Sequence, residues 1–575
     1  MKSAICKKDG VIVFCATLIG QIFSIFINSE ITLIADSIGQ LAVAAVTAGE
    51  PWTPLISETW YYGWGFNWIF GFLFAMSDNP YVVYMFIMLS FALTNAVGSY
   101  FLYRALRLLS EQKTMVMCMF LSIALGVNSG QGYGSTAPNF MIVCVIAYTA
   151  VRVCEKVSCR YSIILAIEGV YAISIHQKNV ILLAVMVMCI LCLGWNEPRV
   201  SRKLCVRKVV VPFLTTTVIT YAVFSLLKKY IIYNVWSSTG NSMKNASIIR
   251  GDMFWFMRDF RRSVVIFLQC FLSNLYTMIN NTWGLGGLAI IVFVLVCWNA
   301  VKRVVRTREV IDNAKDFIIL MFGITTLLIM AGLSFDGARG VCALNYNNYV
   351  NWTYHRYYLN YASVGAAFCL IKVWNLTEEL RNKIVVASLV LYAGIMIIWE
   401  KYQMPLLLSV QEKASRNLKS YLAWFIQTGT WELNIKIAVV IVICILILIR
   451  KKKSCCIGLL TLIAVLITKD FTELGLPYCE KCGAIYRLYA DVGMEQFPEI
   501  IYTESSNRYT LQFMLKSKSV HTGKPPKLCD EAIYYSDVEM TDNEVPKGYI
   551  QIQLDENEWI LIKGERLSEV VKNGM

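Results

Sequence analysis

Charge is scarce in this chain. Of its 575 residues only 16% are Asp, Glu, Lys or Arg, against 57% hydrophobic ones, whereas a soluble domain runs near a quarter charged. A soluble enzyme of this size with so few charges would expose broad apolar patches and aggregate. That excludes a cytosolic enzyme, a secreted globular protein and a disordered scaffold, and it leaves a polytopic membrane protein. Histidine is scarcer still, with three in the chain. Lys and Arg are missing altogether from Asp9 through Tyr103. The chain as a whole nevertheless carries a net +14. In a membrane protein such an excess collects on cytoplasmic connections and faces anionic lipid, so membrane lipids are the implied partner and nucleic acid is not. Cysteine is plentiful, at 19 residues, but mostly scattered singly through apolar stretches. That distribution fits small buried hydrophobes and not a disulfide framework.

What is abundant is long apolar runs. A bilayer core about 30 Å thick takes roughly 20 apolar residues per helix. Thirteen stretches qualify as spans: 11–29, 81–103, 114–128, 138–153, 161–176, 179–195, 209–227, 283–300, 317–334, 358–374, 384–399, 435–449 and 455–468. Basic clusters fall between alternate spans, from Lys2, Lys7 and Lys8 through Arg199–Lys208 and Lys302–Lys315 to Arg450–Lys453. Each lands on the cytoplasmic side if the N-terminus is inside, and an odd number of spans then puts the C-terminus outside. The stretch 263–279 is apolar enough to compete, but a full crossing there would throw every later cluster outside. The first span reads as a retained anchor, since Ser29-Glu30-Ile31 is unlike a cleavage site.

From Asp470 the character changes. The last 106 residues hold 18 acids against 11 bases, a net −7 that leaves +21 on residues 1–469. Short alternating runs such as Tyr549–Leu554 and Trp559–Lys563 predict strands. The fold class expected is an all-α polytopic membrane protein of about 13 transmembrane helices, residues 1–469, followed by a small extracytoplasmic β-rich domain at 470–575.

The first outer loop, about residues 30–80, carries Glu30, Asp36, Glu50, Glu58 and Asp78 and no base. Ile38–Gly49 reads as an amphipathic segment lying on the membrane surface, and the aromatic run Trp60–Met76 suits the lipid interface. Asp36 follows the apolar run Ile31–Ala35 and shortly precedes another, so it is poorly placed for free solvation. A carboxylate there can meet a lipid-borne substrate at headgroup level. Two further clusters sit at outer helix ends: Ser174-Ile175-His176-Gln177-Lys178-Asn179, and Thr353-Tyr354-His355-Arg356-Tyr357-Tyr358.

One span, a long acid-bearing outer loop, a dense block of spans and these two clusters together resemble the GT-C class of membrane glycosyltransferases. That group contains the bacterial aminoarabinose and protein mannosyl transferases, which take a sugar from a polyprenyl-phosphate carrier on the outer face. A family of bacterial membrane glucosyltransferases that modify surface polysaccharide is similar in architecture. The resemblance covers roughly residues 1–400. It implies a glycosyltransferase of the cell membrane whose acceptor is a glycan, lipid or protein. It implies a catalytic base in the first loop, matched by Asp36. A Lys closing a mid-chain span is matched by Lys178, and an Arg-Tyr entering a later span by Arg356-Tyr357. Some of these families carry a further acid in the second outer loop, whereas Asn128–Asn139 has none. A divalent metal is therefore unsupported, no metal ligands are assigned, and the cofactor stays open.

The chemistry asks for the same residue types. The acceptor hydroxyl must lose a proton to a positioned carboxylate, for which Asp36 is the candidate. The departing phosphate needs a cation, for which Lys178 and Arg356 are placed. His176 and His355 flank them, and Glu58 is a further candidate contact to substrate. A bland alternative for Lys178 and Arg356 is snorkelling to the headgroups. One base and one step would invert the anomeric carbon. A polysaccharide polymerase or a lipid-linked oligosaccharide flippase is the competing function. A flippase should line its path with charges, and Glu168 is the clearest charge inside a span. Cys479-Glu-Lys-Cys482 is left over, with a disulfide as the default outside the cell and redox or zinc chemistry as alternatives.

Overall fold

The computed structural model describes residues 2–27, 30–59, 61, 63–129, 136–196, 202–236, 255–307, 313–343, 355–403, 441–443, 445, 454–467, 476–493, 495–526, 529–540 and 545–574. The described part of residues 1–469 is helical. Helix α1 spans Lys2–Ile27, α2 Ala35–Thr47, α3 Pro80–Leu109, α4 Met115–Asn128, α5 Thr136–Glu155, α6 Cys159–Ile175 and α7 Asn179–Asn196. They are followed by α8 Val211–Trp236, α9 Phe260–Asn281, α10 Leu285–Thr307, α11 Ala314–Ala343, α12 Leu359–Trp374, α13 Glu378–Ile398 and α14 Ser454–Ile467. Eight helices among the described residues are long and apolar enough to cross a membrane. Each expected span falls on a helix except 435–449, which lies mostly outside the described residues, as does the Arg450–Lys453 cluster.

Local chemistry starts and stops these helices. Asn79 caps α3, its side-chain oxygen accepting from Tyr81 N at 2.9 Å, and Pro80 occupies the first turn. Asp259 caps α9 through Arg262 N at 3.2 Å. Between α9 and α10 the chain reverses through Trp283 at φ 46° and Gly284 at φ 74°.

Helix α9 covers the stretch 263–279. By length and composition it is a candidate span, against the expectation from the basic clusters, and it packs along α11 as well as against the ends of other helices. The Tyr358 hydroxyl, at the start of α12, donates to Asn274 O at 2.9 Å. Tyr392, late in α13, donates to Asn280 Oδ1 at 2.9 Å. Tyr276 stacks on Trp399, just past α13, with ring centroids 4.2 Å apart. These contacts sit at the end of the bundle remote from the basic connections, here called the loop face.

The tail beyond Tyr478 carries the expected small sheet and adds helices to it. It is an α/β unit with one five-stranded sheet, ordered β2-β1-β3-β5-β4. Its strands are β1 Ile500–Thr503, β2 Ser519–Thr522, β3 Ala532–Ser536, β4 Tyr549–Asp555 and β5 Glu558–Lys563. β1 runs parallel to β2 and to β3, while β3–β5 and β4–β5 are antiparallel. Parallel pairing needs a crossover, and the short helix α16, Arg508–Met514, supplies it between β1 and β2. Helices α15, Gly483–Val492, and α17, Glu565–Gly574, complete the unit. The two strands expected from sequence form the β4–β5 hairpin.

Two hydrophobic cores result. One fills the helix bundle. The other joins the first loop to the tail, with Trp52, Phe70 and Phe74 packed beside Leu511, Phe513 and Ile533. Trp52 meets Phe74 and Phe513 edge-on at 5.3 and 6.3 Å, and its indole N–H donates to Lys516 O at 2.8 Å. The loop is therefore not spread on the lipid surface as expected. In α2 residues Ser37 through Ala45 are buried by protein. The run Trp60–Met76 divides its aromatics: Phe70 and Phe74 are buried, while Trp68 and Phe72 are exposed. Trp60 itself lies outside the described residues.

Candidate active site

Asp36 stands in the first turn of α2, where the helix dipole favours a carboxylate. The segment before it is fixed by the tail: Leu33 N donates to Thr510 Oγ1 at 2.9 Å, and Ile31 N donates to Tyr478 O at 2.7 Å. Arg356 comes from the single 3-10 turn His355–Tyr357 that precedes α12. Its guanidinium Nη2 donates to Asp36 Oδ2, an ion pair between residues 320 positions apart in the chain. The carboxylate side chain keeps 16% of its exposure and the guanidinium 30%, so the pair borders open space.

Lys178 and His176 arrive on the connection between α6 and α7. The Lys178 ammonium donates to Arg356 O at 3.2 Å and lies 5.0 Å from the centre of the Tyr357 ring and 5.9 Å from that of Tyr361. His176 packs edge-on against Tyr357 at 5.4 Å, and its Nδ1 accepts from Lys178 N at 3.3 Å. Burial pushes the Lys178 ammonium, in the connection between helices, down to about 7. A cation stripped of water loses hydration that its neighbours only partly replace.

The first loop holds this connection in place. Trp64 N and Gly65 N donate to Ser174 O at 2.7 and 2.9 Å, and Gln177 Nε2 donates to Tyr61 O at 2.5 Å. At Gly63 a Cβ would lie 2.3 Å from Ile175 O, and at Gly65 1.8 Å from Ser174 Oγ. Only glycine allows so close a docking. A layer of buried amides lies beneath. Asn179 Nδ2 donates to Asn139 Oδ1 at 2.8 Å and to Ala172 O at 2.7 Å, and the Tyr361 hydroxyl donates to Asn179 Oδ1.

Four residues singled out in the sequence, Asp36, His176, Lys178 and Arg356, thus come together at the loop face from three separate segments. Glu58 goes elsewhere. It accepts from Thr522 Oγ1 at 2.8 Å and lies 4.0 Å from Arg508 Nε, both in the tail. His355 shares the turn of Arg356, but its side chain lies outside the described residues. Tyr361, Asn179 and Asn139 were not singled out as site residues. The i, i+4 spacing of Tyr357 and Tyr361 at a helix start was the available signal. Among the described residues no three His, Cys, Asp or Glu side chains gather as a metal site. The cluster offers one carboxylate able to take a proton, two cations able to hold an anion, and a tyrosine wall.

This arrangement of helices, long first loop and C-terminal unit has solved counterparts. The fold is shared with ArnT from Cupriavidus metallidurans. The structure of that protein bound to undecaprenyl phosphate matches with a TM-score of 0.54 and 11% identity, over 97% of this chain and 98% of that one. Its apo structure matches with a TM-score of 0.54 and 13% identity over the same shares. No family model matches the sequence, and no curated protein does.

Proposed function

We propose that this chain is a glycosyltransferase that moves a sugar from a polyprenyl-phosphate carrier to a glycan, lipid or protein acceptor at the outer face of the cell membrane. The observation that carries the reading is the meeting of Asp36, Arg356 and Lys178 at one end of the bundle. Each comes from a stretch where a charge is costly. The likeness to an ArnT that binds undecaprenyl phosphate supports a lipid phosphate as the donor's leaving group.

In this reading the N-terminus is cytoplasmic and the loop face is outside, as are residues 470–575. The donor phosphate sits between Arg356 and Lys178, drawing the guanidinium from its resting contact with Asp36. Asp36 takes the proton of the acceptor hydroxyl. The acceptor oxygen attacks the anomeric carbon opposite the phosphate, the bond to phosphate breaks, and configuration inverts. The leaving group's growing charge is met by the guanidinium fork and the ammonium. Tyr357 and Tyr361 help keep water from the cation-like sugar.

Purified protein in liposomes, given radiolabelled polyprenyl-phosphate sugars and candidate acceptors, tests this. Transfer of one sugar with release of polyprenyl phosphate is expected. Lengthening of a lipid-linked chain would mean a polymerase, and movement of labelled lipid without a product would mean a flippase.

A further inference from the structure

The Cys479-Glu480-Lys481-Cys482 motif plays no part in the reaction above. Its place in the fold is specific. Tyr478 makes a parallel bridge with Glu30, so the motif begins where the tail meets the segment that leads to Asp36. Cys479 is buried there with its Sγ 3.6 Å from Ile31 O. Cys482 is fully buried at the N-terminus of the ten-residue helix α15. Its Sγ lies 3.7 Å from the Tyr535 hydroxyl, which donates to Lys481 O. The two cysteines bracket the turn that leads into α15. The Glu558 carboxylate, 1% exposed, caps α15 by accepting from Ala484 N at 3.1 Å and Ile485 N at 3.2 Å.

These neighbours treat the two sulfurs differently. The neighbouring Cys482 side chain holds the Cys479 thiol below its ordinary range. Burial pushes the Cys482 thiol well above its own, and the nearby Glu558 charge adds to that. A lowered Cys479 and a raised Cys482 favour Cys479 as the attacking thiolate and Cys482 as the second thiol.

We infer that Cys479 and Cys482 are a modification site, closing to a disulfide within the turn of the tail that packs on the segment leading to Asp36. The inference rests on the tail lying outside the membrane, as in the function proposed above. The oxidant is a disulfide, that of an envelope oxidoreductase or a small disulfide. Cys479 thiolate attacks it, a mixed disulfide forms and one oxidant thiol leaves. Cys482 then loses its proton and attacks the Cys479 sulfur, and the second oxidant thiol leaves. Two protein thiols become one disulfide and one disulfide becomes two thiols, so atoms and electrons balance. In the assembled protein both sulfurs are covered, so exchange precedes docking of the tail on the first loop, and the finished bond is shielded from reductant.

The test uses full-length protein from cells with an oxidising envelope. Thiols are trapped with N-ethylmaleimide in denaturant without reductant, and the peptides are weighed. The peptide holding Cys479 and Cys482 should carry no maleimide until reductant is added, while Cys529 is labelled throughout. In Cys482→Ser, Cys479 should take the label. Label on both cysteines of the native chain overturns the inference, as does continued protection of Cys479 in Cys482→Ser. A Glu556→Cys variant treated with an impermeant maleimide on whole cells reports the side of the tail. Labelling there together with free Cys479 and Cys482 sinks the disulfide alone; no labelling there sinks both the disulfide and the outward tail.

Discussion

Two carboxylates, each in the first turn of a helix, stand at opposite ends of the bundle. Asp36 opens α2 and Asp316 opens α11. Helix α12 measures the gap between their partners. Arg356 precedes it and Lys372 lies in its last turn, and 16 residues at 1.5 Å each come to about 24 Å. Asp316 keeps 3% of its exposure and takes both Lys372 and Arg303, the latter at 3.3 Å. Its partners come from neighbouring packed helices, and the knot ties α10, α11 and α12 together. Asp36 is more open, and its partner comes from a single turn beside a connection. An ion pair enclosed by helices is scaffolding. One made by a helix start and a single turn, partly open and edged by tyrosines, can rearrange, as the proposed transfer requires.

Exchanging charge for amide at both ends breaks this comparison most severely. Asp36→Asn should abolish transfer and leave thermal unfolding unchanged, because the amide keeps the shape but accepts no proton. Asp316→Asn should do the reverse. It leaves two cations uncompensated and costs about 3–5 kcal/mol of stability, read as earlier unfolding in detergent, with the rate per folded molecule kept. Full turnover by Asp36→Asn would remove Asp36 as the base.

Arg356→Lys comes next. An ammonium cannot grip two phosphate oxygens, so the barrier should rise by about 2–4 kcal/mol, on the order of 10²–10³ in rate. Arg303→Lys at the other end should leave transfer kinetics near wild type. If the two substitutions behaved alike, Arg356 would be an interface anchor.

A smaller effect follows from pH. Lys178 is charged below about 7 and neutral above it. As its pull on the donor phosphate is lost, kcat/KM should fall as pH rises through that value, by about tenfold per unit if the neutral amine contributes nothing. Lys178→Arg keeps its cation and should flatten this alkaline limb. A limb unchanged in Lys178→Arg would assign it to another group. The smallest change is expected for Glu58→Gln, whose contacts are with tail residues. Its transfer rate should stay within about twofold, with a stability loss of at most about 1 kcal/mol.

The site was legible where charge was improbable. Asp36 interrupts apolar sequence, Lys178 and Arg356 stand where apolar spans end or begin, and a charge at a helix end in lipid needs a reason. The helices were legible by apolar length. Helix α9 was set aside because the later basic clusters argued against a crossing there, although its composition suits a span. The joint between loop and tail left no sequence trace. Lys516 looks like any tail lysine, yet it is buried, with its ammonium 3.0 Å from Glu50 and 2.6 Å from Phe74 O. The tail's parallel strands were missed because their crossover helix, Arg508–Met514, has seven residues, too few to show a period.

The shared core of loop and tail also imposes an order in time. Leu33 and its partner Thr510 are 477 residues apart. At roughly 5–20 residues per second, a ribosome needs about 25–95 s to reach the second after making the first. Throughout that interval Trp52 and Phe74 lack Phe513 and the rest of the tail's side of their core. A nascent loop of this kind needs a chaperone or the headgroup layer as a temporary host. A ribosome that stops before codon 478 would leave a complete bundle with an exposed aromatic face, a ready signal for proteolysis.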